Sequence, residues 1–333
     1  MQTAAVTGAI GLAGAGATNV LSPILLPENP RFDRNVSYWS QVLPSASPAV
    51  THNIDADVLI VGGGFLGLSA AYYLGQTLPG LRVVLLEAVR CGNGASGRNG
   101  AMVLTQTDDS YLQDSDHPAL DRRLYELTSE NTKTMIALCR ALRIDCELEQ
   151  NGALQAVNNP SEVAARQAFV GKARDQRFPF EFWSGERTAA TIGARGYARA
   201  VFDPGGGQVH PGKLVGMWKT AALRSSAELY DSTQVIPIEE GAIDRLTTAT
   251  GLTARAPHLV LATNAFTSKL GYLRRAVAPI FDNVCITPVL DGGRRMARAD
   301  SVQRRSHRGL LRWPHARQSN SFRWRPGRLP VQQ

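Results

Sequence analysis

Residues Asp57 to Leu74 read "DVLIVGGGFLGLSAAYYL", an apolar strand that runs through three glycines into a helix of small and aromatic residues. The spacing Gly62-x-Gly64-x-x-Gly67 follows the strand at once and opens the helix. Each glycine has its own task in such a turn. Gly62 permits the tight reversal, Gly64 lets backbone approach a pyrophosphate, and Gly67, with Ala71 one turn later, lets the helix lie close on the sheet. The helix start then offers N–H groups and a partial positive charge to phosphates. "RVVLLEA" supplies a second apolar strand, closed by Glu87, 20 residues after Gly67. A carboxylate there accepts hydrogen bonds from an adenosine ribose and repels a 2′-phosphate, which argues against NADP. Strand, turn, helix and parallel strand make one βαβ unit with a right-handed crossover.

Outward from this unit the chain changes texture several times. Residues 1–54 read as leader and linker, with a short aromatic contact at Tyr38-Trp39. The apolar start lacks the basic residues of a signal peptide, and Gly, Asn and Pro interrupt it short of the ~20 apolar residues of a membrane span. No span is expected. After Glu87 come a glycine-rich loop, "CGNGASGRNGAMV", and a helix over 118–142 with Leu120, Leu124, Leu127, Met135 and Leu138 at helical spacings. Short strands ("GALQAV", "FEFW") follow around a helix near 161–175. "DPGGGQVHPGKLVGMWKTAAL" restores the α/β rhythm, with Pro211 suited to a first helical position and His210 to a local cap. "APHLVLATNAF" is a further buried strand.

The totals fit a globular enzyme-sized chain. Its 333 residues are 44% hydrophobic and 19% charged, with a net charge of +8. That charge is concentrated. Residues 291–333 hold 11 Arg, no Lys and two Asp, a net +9, so the other 290 residues sum to −1. The body is therefore near neutral, the basic balance belongs to the tail, and nucleic acid is not the expected partner. Cys91, Cys139, Cys146 and Cys285 show no metal-ligand or CxxC spacing. They are expected as reduced thiols in a cytoplasmic protein, and no metal site is expected.

The fingerprint alone does not separate FAD from NAD. The loop "GASGRNGA", Gly94 to Ala101, resembles a signature of the FAD-dependent amine and amino-acid oxidoreductases, the family of D-amino-acid oxidase and glycine oxidase. Within that family it is most similar to the gamma-glutamylputrescine oxidoreductase branch. "DPGGGQVHPGKLV", 203–215, and "APHLVLATNAFTSKLG", 256–271, resemble later segments of the same family in the same order. The resemblance runs from about Arg31 to about Leu290. It implies an α/β FAD-binding domain of the Rossmann-like (glutathione-reductase) type with an α+β antiparallel-sheet substrate domain. The flavin domain would comprise 55–145 and 203–271, and the substrate domain 146–202 with its return beginning at 272–290.

By the same resemblance FAD is the cofactor, held by Gly62, Gly64, Gly67, Glu87, Ser96, Arg98, Asn99, Gly100 and Ala101. Val235 would meet the adenine through its backbone, and Ala262 and Thr263 would flank the phosphates. Val235 also reads as a plain strand residue, and Arg98 as a loop-capping arginine. The implied chemistry is oxidation of a C–N bond in an amine or amino acid by hydride transfer to flavin N5, with oxygen or a quinone as electron acceptor. No catalytic base is assigned.

The family pattern stops near residue 290, where "GGRRMARADSVQRRSHRGLLRWPHARQSNSFRWRPGRLPVQQ" begins. The tail reads either as a basic appendage for nucleic acid or acidic lipid, or as translation out of frame in GC-rich codons. The absence of Lys and of any strand or helix period favours the second, and 291–333 are expected to lie outside the folded body. The chain would then be a truncated relative, inactive or with activity impaired. A binding protein with a working basic tail is the remaining alternative.

Overall fold

The computed structural model describes residues 37–105, 118–157, 159–192, 196–277, 301–305, 310–314 and 321–323. Strand β1 (Ile54–Asp55) leads into β2 (Val58–Val61), helix α1 (Phe65–Thr77) and β3 (Val83–Leu86). Strand β4 (Met102–Val103) and the long helix α2 (Pro118–Leu142) follow. Next come β5 (Ala153–Val157), α3 (Val163–Asp175), β6 (Glu181–Ser184), α4 (Gly185–Ile192), β7 (Arg199–Asp203) and β8 (Gly207–Gln208). Helix α5 (Pro211–Arg224) precedes β9 (Glu228–Tyr230), β10 (Val235–Glu239), β11 (Asp244–Thr248), β12 (Thr253–Ala256) and β13 (His258–Leu261). The last described strands are β14 (Ser301–Arg305), β15 (Leu310–Pro314) and β16 (Ser321–Arg323).

The first sheet is ordered β13-β2-β3-β9 and is parallel throughout. That explains the uninterrupted apolar runs of β2 and β3, since a parallel strand covered on both faces has no solvent side. Alternate residues of β2 serve two cores. Val58 and Ile60 pack with Leu68 of α1 and with Leu214, Met217 and Trp218 of α5. Leu59 and Val61 pack on the other face against Leu246 and Ala254 of a second sheet, ordered β1-β12-β11-β10. Leu59 and Ile60 are fully buried, each contributing about 1.5–3 kcal/mol over an exposed position. Helices α1 and α5 approach closely because Gly75 faces Ser225, where a Cβ would lie 2.3 Å from the carbonyl oxygen.

The six-stranded sheet is ordered β16-β15-β14-β5-β7-β6 and is antiparallel except for the β14–β5 pair. Two expectations change here. The stretch 301–323 contributes three strands, with Gln303 in register with Gln155 of β5. Composition did not show this, because ladder pairing uses backbone groups and has no residue signature of its own. Residues 37–50, read as linker, lie against the flavin domain, with Trp39 only 1% exposed. The packing partners of Trp39 are far away in sequence, so a short segment without periodicity gave no sign of them. On α2, Met135, Leu138, Leu124 and Tyr125 pack inward, whereas Leu120 and Leu127 are exposed. Most of 272–290, including Cys285, falls outside the described residues.

Candidate functional site

The three glycines of the β2–α1 turn are each required by contact. Gly62 has φ +112°, and a Cβ there would lie 2.6 Å from the Ala262 carbonyl oxygen. A Cβ at Gly67 would lie 1.9 Å from the Gly62 carbonyl oxygen, so the first turn of α1 sits directly on the strand end. Gly64 is the N-cap and brings no side chain of its own. Ser96 caps the helix from the neighbouring loop, its Oγ accepting the Phe65 N–H at 2.8 Å. The first-turn N–H groups of a helix have no partner within it, so this end of α1 is built to receive an anion.

Glu87 follows β3 and turns back on the glycines. Its Oε2 accepts the Gly63 N–H at 2.7 Å and its Oε1 accepts the Val89 N–H at 3.0 Å. A carboxylate offers about four acceptor positions, so capacity remains for hydroxyl donors. Burial pushes the Glu87 carboxyl above its ordinary range, while the backbone N–H groups of Val89, Gly63 and Ala88 work in the opposite sense. Beneath the same turn Cys91 sits 2.7 Å from where a Cβ on Gly63 would lie, and Gly92 N–H donates to the Gly63 carbonyl at 2.9 Å. Cys91 N–H in turn donates to Asp231 Oδ1 at 2.7 Å.

Asp231 and its partner Lys219 escaped the sequence reading, as did Gly63. The pair is separated by a helix end and a strand, so no short motif marks it. Asp231 Oδ2 accepts from Lys219 Nζ at 2.7 Å and from Ser47 N–H at 2.6 Å.

The remaining expected residues gather around the same end of α1. Arg98 donates through Nε to the Asn93 carbonyl at 2.6 Å, which is the loop-capping arrangement. Burial lowers its guanidinium from the ordinary value. Asn99 accepts the Ala101 N–H on Oδ1 at 2.9 Å, and Ala101 holds a left-handed φ of 64° beside the half-buried Gly100. Ala262 and Thr263 lie across from Gly62, with Thr263 Oγ1 and Thr267 Oγ1 2.8 Å apart at the start of a 3-10 helix over Asn264–Leu270. Val235 opens β10 with its side chain in the core, which leaves only its backbone for a ligand. Thr233 N–H donates to the Glu87 carbonyl at 2.8 Å and brings this segment alongside.

Beside β5 and β7 lies a small cavity lined by Leu104, Ala153, Gln155, Val201 and Asp203. Burial raises the Asp203 carboxyl, against the hydrogen bonds from Thr105 Oγ1 and Gly205 N–H. Those donors make Asp203 the organiser of the 203–206 turn, and it receives no catalytic role. His210 caps α5, accepting Lys213 N–H on Nδ1 at 3.4 Å. Cys91, Cys139 and Cys146 are free thiols. Among the described residues no group of three or more His, Cys, Asp or Glu is placed to hold a metal, and no helix is long and apolar enough to cross a membrane.

This arrangement fits FAD. Gly64, which starts α1 without a side chain, Ser96, which caps it, and Glu87, which holds the Gly63 N–H, lie together at one helix end. The family described as "DAO: FAD dependent oxidoreductase" matches residues 57–317, past the point near 290 where the sequence resemblance was expected to stop. A probable oxidoreductase OrdL of Rhizobium meliloti is 30% identical over 269 residues, covering 77% of this chain and 61% of its own. The gamma-glutamylputrescine oxidoreductase of Escherichia coli is 27% identical over 234 residues, covering 69% and 54%. This chain thus spans between 54% and 61% of the length of the curated relatives it matches first. The crystal structure of glycine oxidase from Geobacillus kaustophilus superposes with a TM-score of 0.67 at 23% identity, covering 84% of this chain and 75% of that one, and so shares the fold. The chain belongs to the DAO family of FAD-dependent oxidoreductases.

Proposed function

We propose that this protein uses FAD to oxidise the C–N bond of an amine or amino acid. The observation that carries the reading is the convergence of Gly64, Glu87 and Ser96 on the start of α1. FAD, when bound, supplies the hydride acceptor at N5 and passes the electrons to oxygen or a quinone. The protein's own contribution is binding and orientation. The α1 N-terminus would receive the pyrophosphate, Glu87 would accept from the adenosine ribose, and the backbones of 96–101, 235 and 262–263 would hold the rest of the cofactor. The cavity lined by Leu104, Ala153, Gln155, Val201 and Asp203, beside the sheet that contains β5 and β7, is where a substrate would be accommodated. Free, buried thiols at Cys91 and Cys146 fit work in a reducing, cytoplasmic compartment.

The test is the visible spectrum of the purified 333-residue chain, loaded with FAD if it is colourless, followed by anaerobic addition of candidate amines and amino acids. Bleaching by one substrate class supports the reading and names the class. A chain that binds no FAD would remove its foundation. A flavin spectrum that no amine or amino acid bleaches would point to a different substrate.

A further inference from the structure

The segment ahead of the first strand packs on the loop 92–101 through Tyr38, Trp39 and Leu43, and Trp39 adds a hydrogen bond. Trp39 is 1% exposed and packs with Ala101, and its indole N–H donates to the Asn99 carbonyl at 3.0 Å. Its ring meets His210 edge-on, with centroids 4.5 Å apart. Asn99 is the residue that folds the loop on itself. Its Oδ1 accepts Ala101 N–H at 2.9 Å and its Nδ2 donates to the Ser96 carbonyl at 2.8 Å. Ser96 Oγ then accepts the Phe65 N–H at the start of α1. Three consecutive residue contacts therefore lead from Trp39 to the helix end that faces the pyrophosphate. The segment is anchored at further points, where Ser40 accepts from Arg90 at 3.1 Å and Ser45 accepts from Lys219 at 2.8 Å.

We propose that Trp39 is a positioning residue for the flavin loop, its indole N–H setting Asn99 and thereby the Ser96 hydroxyl and the Ala101 amide. The proposal rests on the reading that residues 96–101 lie against FAD. Any buried indole needs an acceptor. Here the acceptor belongs to the one residue whose amide side chain holds both halves of the loop. The left-handed Ala101 also requires outside support, because a non-glycine residue keeps such a conformation only where its surroundings over-determine it.

Trp39→Phe keeps the ring and removes the donor. In the apo chain, amide hydrogen exchange at Phe65 and Ala101 is expected to speed up about fivefold, the effect of one net hydrogen bond, with the amides of α5 unchanged. The FAD dissociation constant is expected to rise by a similar factor, with altered visible circular dichroism of the bound flavin. A lowered unfolding temperature with unchanged exchange at those amides and unchanged FAD affinity would mean that Trp39 only fills space, and would overturn the proposal. If Trp39→Phe does not fold, the resonance of the Trp39 indole proton in the unaltered chain decides the matter. A downfield, hydrogen-bonded shift supports the bond, and the shift of an indole without an acceptor overturns it. The exchange measurements need no cofactor, so a chain that fails to bind FAD would defeat the proposed function while these readings still judge the loop contact.

Discussion

Lys219 Nζ lies 2.7 Å from Asp231 Oδ2, and the two side chains are 5% and 0% exposed. Ser45 and Ser47 of the N-terminal segment and Cys91 beside the glycine turn are bonded to the same two groups. Replacing Lys219 with Met leaves a buried carboxylate without its cation, and the expected loss is about 3–5 kcal/mol of folding stability. Adding Asp231→Asn should recover part of that loss, since the amide oxygen still accepts an N–H without carrying charge. Urea unfolding of the two single variants and the double variant measures the coupling. Additive losses would mean the charges are not paired in solution.

Gly67→Ala and Gly80→Ala make a contrast within one βαβ unit. The first places a Cβ 1.9 Å from the Gly62 carbonyl oxygen, while the second meets nothing within 4 Å. Gly67→Ala is expected to cost about 2–3 kcal/mol through overpacking and to abolish FAD retention. Gly80→Ala should stay within about 0.5 kcal/mol of the parent. Thermal unfolding and flavin content after desalting distinguish the two.

The raised Glu87 carboxyl gives opposite pH trends for folding and for binding. Burial raises its value in the folded chain, so the native state holds the proton more tightly than the unfolded one. Its stabilising contribution is complete below the ordinary carboxylate range and is lost as pH rises through the raised folded value. Ribose hydroxyls donate to the charged form, so FAD affinity should fall as pH drops through that same value. Glu87→Gln should flatten both trends. Apo unfolding temperature and FAD affinity, followed between about pH 4 and about pH 8, test the signs, and parallel trends would contradict the assignment.

Ser96→Ala removes the acceptor for the Phe65 N–H. Loss of a helix cap of this kind costs about 1 kcal/mol. The same hydroxyl lies beside the expected pyrophosphate position, so FAD should dissociate faster as well. Stopped-flow release of flavin, read next to chemical denaturation, gives both numbers. A stability loss without faster release would confine Ser96 to capping.

Much of the flavin domain was legible from residues close together in the chain. Gly62, Gly64, Gly67 and Glu87 are linked by backbone geometry over fewer than thirty residues, so their spacing is the structure. The helix over 118–142 was equally plain, because a 3.6-residue period needs no distant partner to show itself. Leu120 and Leu127 keep the helical spacing yet face solvent, since periodicity reports a stripe without saying how far the covering element reaches.

The sequence by itself determined the βαβ unit, the glycine turn, the acidic residue opposite it and the order of the flavin segments, all of them local patterns with a mechanical meaning. Only the tertiary structure decided that Trp39 reaches Asn99 across 60 positions, that Lys219 and Asp231 are buried together, and that β14 lies parallel to β5. These contacts join segments remote in the chain through single hydrogen bonds, one ion pair and backbone ladders. None of those interactions leaves a periodic or compositional trace until the chain has folded.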